Sequence, residues 1–258
     1  SPINFKNKPK PVIITEYAKN GSLMDFIAHD RSFPDNPILN ETHKLIIIYG
    51  IAAAMSYLHS HNIIHRDLKP DNILLDEFFL PKVADFGLSK SCSKESQESV
   101  LKQTMSGTIK GTPKYMSPEI WLNAEYSEAS DVYAFAITVY EIIVSEKPFQ
   151  DMDIYRIMMM VRSSKRPELT EEVPNAYRKL IERCWSQEPS DRPTFDQILT
   201  EMRTNREYIL ENVNEKDYLN YIKCINEYKT TFNENKALIP SYNLNMYKYD
   251  FSEAIVKK

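Results

Sequence analysis

The run His65-Arg66-Asp67-Leu68-Lys69-Pro70-Asp71-Asn72 sets acidic, basic and amide side chains within one short stretch, and Asp85-Phe86-Gly87 follows, with Asp85 eighteen residues after Asp67. Apolar residues frame both: Ile63-Ile64 precede, Ile73-Leu74-Leu75 come between, and Lys82-Val83-Ala84 lead into Asp85. Short strands presenting charged loop residues form an active-site layout, because rigid flanks fix where the charges lie. Such a set suits reactions in which reactants are positioned and charge is neutralised. For any single residue a solvated polar loop is the plainer reading, so the weight lies in the combination.

Further along, Ser117-Pro118-Glu119 occurs in the same order and spacing, with Asp131 and Arg192 also in place. On these motifs the sequence resembles the protein kinase family. The resemblance covers roughly residues 10–203. It implies an α+β, protein-kinase-like fold: a mostly α-helical C-terminal lobe with the last strand and hinge of the N-terminal lobe. It also implies ATP and Mg2+ as cofactors and protein substrates. In phosphoryl transfer the protein mainly positions reactants and neutralises charge. The resemblance makes Asp67 the acceptor of the substrate hydroxyl's proton and Lys69 the cation beside the transferring group. Asn72 and Asp85 become hard oxygen ligands for magnesium, held from two loops so that the ion bridges phosphates.

By the same resemblance Thr15 is the gatekeeper, and the backbones of Glu16 and Ala18 bond adenine. Ser22 lies where a polar group meets the ribose, and Leu74 lies beneath the adenine ring. Glu119 and Arg192 are expected to form a buried ion pair fastening the activation segment to the helical lobe. Asp131 is expected to hold the catalytic-loop backbone, and His65 and Phe86 to stack. Lys69 and Thr112 follow the serine/threonine pattern, whereas Cys184-Trp185, Pro189, Asp191-Arg192-Pro193 and Phe195 look like the tyrosine-kinase-like end of the family. The joint reading is a tyrosine-kinase-like serine/threonine kinase. Arg66 before Asp67 points to an activation-segment phosphate. Thr104, Ser106 and Thr108 are the candidate acceptors, modified by an upstream kinase or by autophosphorylation.

The supporting elements follow from periodicity. Val12–Thr15 reads as a buried strand after the breaker-rich Asn7-Lys8-Pro9-Lys10-Pro11, and Leu23–Ala28 begins a short helix. A long helix runs from a cap at Asn40 to His61. Ser89–Thr108 is polar and reads as a mobile loop. From Ser127 the pattern is helical, and Val132–Val144 is apolar nearly all round, as a central helix must be. Amphipathic helices follow at Asp153–Ser163, Asn175–Trp185 and Phe195–Glu207. Met158-Met159-Met160 reads as core. The kinase domain is assigned to 1–203. Residues 204–258 form a polar extension of unknown role in which Tyr218, Leu219, Ile222 and Ile225 suggest a helix.

The chain has 258 residues, 42% apolar and 26% charged, with a formal net charge of -4 and pI near 5.8. It is long enough for a sizeable core, and its charge gives no reason to expect nucleic acid or an anionic membrane as partner. Leu45–Met55 and Val132–Val144 are too short to span a bilayer. Three scattered cysteines signal neither a disulfide framework nor a zinc site and fit a reduced, cytoplasmic setting. All five glycines lie between Gly21 and Gly111, so no glycine-rich phosphate loop precedes the hinge. Together with the opening Ser1, this suggests a fragment of an active kinase that would itself be nearly inactive. The alternative is a catalytically inactive kinase-like binding or scaffold module.

Overall fold

The computed structural model describes residues 3–5, 8–10, 16–86, 89–91 and 111–234. Its described body is helical, with three small two-stranded antiparallel sheets. Strands β1 (Ile3–Phe5) and β2 (Lys8–Lys10) form a hairpin in register Asn4 to Pro9. This corrects the reading of Lys8-Pro9-Lys10 as a turn: a two-stranded ribbon is all edge, where a proline without an N–H is tolerated. Val12–Thr15, expected to be a strand, lies outside the described residues, and so do Thr15, Gly87 and the candidate acceptors Thr104, Ser106 and Thr108.

Helix α1 (Leu23–Ser32) starts at a capping box in which Ser22 and Asp25 satisfy each other's backbone N–H. It outruns the expected Leu23–Ala28 segment. Helix α2 (Glu41–Ser60) has Asn40 as its cap and buries Leu45, Ile47, Ile48, Ile51, Ala52 and Met55. Strands β3 (Ile63–Ile64), β4 (Ile73–Leu75) and β5 (Pro81–Val83) flank the charged loops. β4 pairs with β5. β3 pairs with β6 (Lys90–Ser91), a strand at the start of the segment read as a loop.

Helix α3 (Pro118–Asn123) leads into α4 (Glu128–Val144), where residues 130–142 are all buried. That is the central helix its all-round apolar sequence demanded. Around it stand α5 (Ile154–Arg162), α6 (Asn175–Cys184) and α7 (Phe195–Thr204). The last ends three residues earlier than expected. Asn205 adopts extended geometry, and a 3₁₀ turn at Arg206–Tyr208 follows. Met159 is exposed rather than core, because α5 turns Ile157 and Val161 inward instead.

Helix α8 (Glu215–Glu234) confirms a helix in the Tyr-rich tail, and it packs more tightly than a polar extension would. Tyr208, Tyr218, Tyr221 and Ile222 are buried. The Tyr218 and Tyr221 rings meet Tyr49 of α2 edge-on, and Tyr218 Oη donates to the Met202 carbonyl at 2.9 Å. Gly50 permits this approach, since a Cβ there would strike Tyr221 Oη and come within 2.5 Å of Pro81 Cγ. The proline ring cannot yield as a flexible chain would. Gly50→Ala is therefore expected to cost about 1–3 kcal/mol, the usual overpacking penalty, read as a lower midpoint in thermal denaturation. An unchanged midpoint would mean that α8 does not press on α2.

Candidate active site

Between β3 and β4 the chain turns sharply, with Arg66 at φ 71°. Asp131, buried at the start of α4, holds this turn: its carboxylate accepts the backbone N–H of His65 (2.8 Å) and of Arg66 (2.9 Å). His59 Nε2 lies 3.0 Å from the same carboxylate, and its ring packs edge-on against Phe195. Asp131 is thus fixed by α2 while it fixes the loop. Its part was legible from the resemblance. That of His59 was not, because nothing in the sequence distinguishes it from other helix-end histidines.

The turn delivers Asp67 into a polar cluster. Thr112 Oγ1 donates to Asp67 Oδ1 at 2.9 Å, and Asn72 Nδ2 donates to Oδ2 at 3.0 Å and to the Asp67 carbonyl at 2.8 Å. Lys69 Nζ lies 2.9 Å from Oδ2 and donates to Thr112 Oγ1 at 2.7 Å. Every donor to the carboxylate is itself held, so its direction is set before any substrate arrives. The structure therefore brings together Asp67, Lys69, Asn72 and Thr112.

Asp85 approaches from the other loop. The Ala84 N–H donates to the Asn72 carbonyl at 2.8 Å, joining the two loops, and Asp85 follows in the left-handed region at φ 60°. His65, fully buried, lies 3.0 Å from the Ala84 carbonyl through Nε2, and its ring stands 5.4 Å from that of Phe86. Asn72 gives its amide nitrogen to Asp67, while its backbone carbonyl ties it to the loop bearing Asp85. Among the described residues no three His, Cys, Asp or Glu side chains gather around a common point. Two oxygen donors on adjoining loops fit a magnesium ion that completes its shell with phosphate and water rather than a protein cage. Such an ion, when bound, neutralises phosphate charge.

The connection before α1 lies along β4. The Leu75 N–H donates to Gly21 at 2.9 Å, the Asn20 N–H donates to Leu75 at 3.1 Å, and Ser22 bridges Leu74. Leu74 is therefore fixed beside the residues expected to meet the nucleotide. Ala18 is buried in this connection, and Glu16 extends to Lys82 of β5 at 3.1 Å. Ser22 Oγ donates to Asp25 at 2.7 Å as part of the helix cap, a commitment that the ribose reading did not foresee.

The wall below the catalytic loop holds a pair that the sequence did not signal. Tyr115, in the 3₁₀ turn Pro113–Tyr115, donates its hydroxyl to Glu141 of α4. Burial raises the Glu141 carboxyl to about 7, partly offset by this hydrogen bond and by Arg31 and Lys114, and burial also raises the Tyr115 hydroxyl well above its usual range. A carboxyl whose folded pKa lies above its unfolded value binds more protons in the native state, so it lowers stability as pH rises from about 4.5 to 7. Chemical denaturation at pH 5 and pH 8 is expected to show the wild type losing more stability than Glu141→Gln over that interval. Equal losses would place the titration elsewhere.

Helices, loops and site together define a protein kinase domain. A sequence model described as protein tyrosine and serine/threonine kinase matches residues 3–202, so the chain belongs to that family. The match starts before residue 10, taking in the β1–β2 hairpin. The chain is 37% identical over 213 residues to a probable LIM domain-containing serine/threonine-protein kinase of Dictyostelium discoideum, covering 83% of this chain and 21% of the relative. It is 37% identical over 204 residues to the dual specificity protein kinase pyk3 of the same organism, covering 79% and 14%. A putative serine/threonine-protein kinase/receptor of Acanthamoeba polyphaga mimivirus is 34% identical over 197 residues, covering 76% and 11%. The chain thus spans about a fifth or less of these relatives. Kinases of this family generally use ATP and Mg2+.

Proposed function

We propose that the protein carrying this chain transfers the terminal phosphate of ATP to serine and threonine hydroxyls of protein substrates. One observation carries this reading: the Asp67 carboxylate is held jointly by Thr112, Lys69 and Asn72. Asp67 Oδ atoms accept the proton of the incoming hydroxyl and orient it. Lys69 offsets the charge that develops on the transferring group. Asn72 and Asp85 hold Mg2+, and the connection at Glu16 and Ala18, with Leu74 below, holds adenine. The 2.7 Å Lys69–Thr112 bond joins the two residues that follow the serine/threonine pattern, and this supports serine and threonine as acceptors. The relatives' printed names, which include both serine/threonine and dual-specificity kinases, support the class.

Phosphoamino-acid analysis of the full-length protein and a mixed substrate, incubated with labelled ATP and Mg2+, tests the specificity. Phosphoserine and phosphothreonine alone are expected. Phosphotyrosine in comparable amount would overturn the serine/threonine assignment in favour of dual specificity, and no transfer at all would favour a kinase-like binding module.

A further inference from the structure

The Glu141–Tyr115 pair stands one step behind the catalytic loop. Tyr115 closes the turn Pro113–Tyr115, its backbone N–H donating to the Thr112 carbonyl at 3.0 Å, and Thr112 is the residue whose hydroxyl meets both Asp67 and Lys69. The Tyr115 ring is buried, and its hydroxyl donates to the carboxylate of Glu141, itself buried on α4. A chain of hydrogen bonds therefore runs from Glu141 through Tyr115 and Thr112 to Asp67. Its far end stands on the central helix, whose residues 130–142 are all buried, so packing fixes the anchor.

Several charges act on Glu141. Arg31 of α1 and Lys114 of the turn favour its carboxylate, Asp71 of the catalytic loop opposes them, and the Tyr140 hydroxyl on α4 also feels its charge. Arg31 donates its Nε–H to the Ser145 carbonyl at 2.7 Å, while its Nη2 is buried with no hydrogen-bond partner among the described residues. A cation in that state gains most from an ionised neighbour. Burial pushes the Glu141 carboxyl up to about 7, and the Tyr115 bond pulls against that push. By linkage, a bond that lowers an acid's pKa is stronger to the anion than to the neutral acid, so a proton on Glu141 weakens its hold on Tyr115. Ionisation thus costs global stability while it tightens the turn. We propose that Glu141 is a positioning residue for phosphoryl transfer: its carboxylate, acting through the Tyr115 hydroxyl, seats the turn that aims Thr112 at Asp67, and protonation of that carboxylate slackens the seat. The inference rests on the kinase reading above, since the aim of Asp67 matters only if it accepts the substrate's proton.

The pH profile of kcat for the full-length protein between pH 6 and pH 8 tests this, with Glu141→Gln as reference, because the amide oxygen still accepts from Tyr115 but nothing there titrates. Wild-type kcat divided by that of Glu141→Gln, a ratio that cancels the titration of ATP and substrate, is expected to rise about 3- to 10-fold as pH rises across this range. KM for ATP should not follow, since Glu141 is not among the residues expected to hold the nucleotide. A merely structural role for Glu141 would lower kcat of the variant alike at every pH and leave the ratio flat. Tyr115→Phe removes the bond that lowers the carboxyl and is expected to move the rise to higher pH. A flat ratio, a ratio that falls as pH rises, or a rise unmoved in Tyr115→Phe overturns the proposal. Hydrogen exchange of the Tyr115 N–H, corrected for its intrinsic pH dependence, reads the turn without any activity. Relative to Glu141→Gln, wild type should exchange about threefold faster or more at pH 6 than at pH 8. If transfer is absent at every pH while this difference persists, the kinase reading fails and the hold of Glu141 on the turn stands. If exchange is the same in both proteins, the proposal fails whatever the activity.

Discussion

Asp67→Ala in the full-length protein is expected to lower kcat by about 10²–10⁴-fold, the usual contribution of a positioned general acid or base. Thermal stability should change little. Asp67 is only partly buried, and solvent can reach Lys69, so the groups it releases rehydrate instead of being stranded. Thr112→Val separates positioning from chemistry. It removes the 2.9 Å bond to Oδ1 and the acceptor of the Lys69 ammonium, but leaves the carboxylate and its bond from Asn72. Its expected loss is smaller, roughly 10- to 100-fold, since the base survives with one anchor fewer. Steady-state phosphorylation of a peptide substrate measures both variants. If Asp67→Ala keeps activity near wild type, the geometry around Asp67 serves another purpose and the kinase reading fails with it. If Thr112→Val matches Asp67→Ala, the threonine is as necessary as the carboxylate, and Lys69 rather than Asp67 is what it orders.

The cluster around Asp67 was among the most legible parts of this sequence. Asp67, Lys69 and Asn72 lie in one short loop, and the strands on either side of it, Ile63–Ile64 and Ile73–Leu75, are apolar runs that declare themselves. The central helix was equally plain, because a helix buried on every side has no polar face to blur its pattern. What stayed hidden depends on pairings across long sequence distances. Glu141 reads as one polar interruption in an apolar run until Tyr115, 26 positions earlier, is seen to donate to it. The tyrosines of α8 are ambiguous between surface and core until Gly50, which has no side chain to signal anything, is seen to admit Tyr221. Ser22 shows another limit. A serine before a helix suits both a cap and a ligand contact; Asp25 three residues later was the legible sign of the cap, completing a box with Ser22 that the ribose reading passed over.

Met159 went astray for a related reason. Three consecutive methionines cannot all face inward on a helix, since successive residues are turned by about 100°, yet hydrophobicity alone does not say which is left outside. The buried positions Ile157 and Val161 decide it, and they place Met159 on the far side. Lys8-Pro9-Lys10 erred in the opposite direction: a proline between two lysines read as a breaker, but an edge hairpin makes few demands on backbone donors.

The largest stability effect is expected at Arg192, whose side chain is fully buried. Its guanidinium donates from Nη1 and Nη2 to the two oxygens of Glu119 at 2.8 Å each, and it donates further to the carbonyls of Ala129, Ser186 and Gln187. It also lies 5.3 Å from the centre of the Tyr133 ring, which Arg166 approaches at 5.1 Å. Arg192→Ala leaves the Glu119 carboxylate buried without its partner and three carbonyls without a donor. A loss of about 3–5 kcal/mol is expected. For a chain of this size that corresponds to a midpoint lower by roughly 10 °C. Glu119→Gln is expected to be milder, because the amide oxygen still accepts from Arg192 and the guanidinium keeps its carbonyl partners. Replacing both residues, as Arg192→Met with Glu119→Leu, should recover part of the loss of Arg192→Ala, since no charge is then left alone in the interior. Recovery cannot be complete while the carbonyls of Ala129, Ser186 and Gln187 lack donors. A double variant no better than Arg192→Ala would show that those carbonyls, not the ion pair, carry the cost. Activity should fall along with stability. Glu119 opens α3 directly after the segment that carries Thr112, so loosening it from the helical body loosens the residue that aims Asp67.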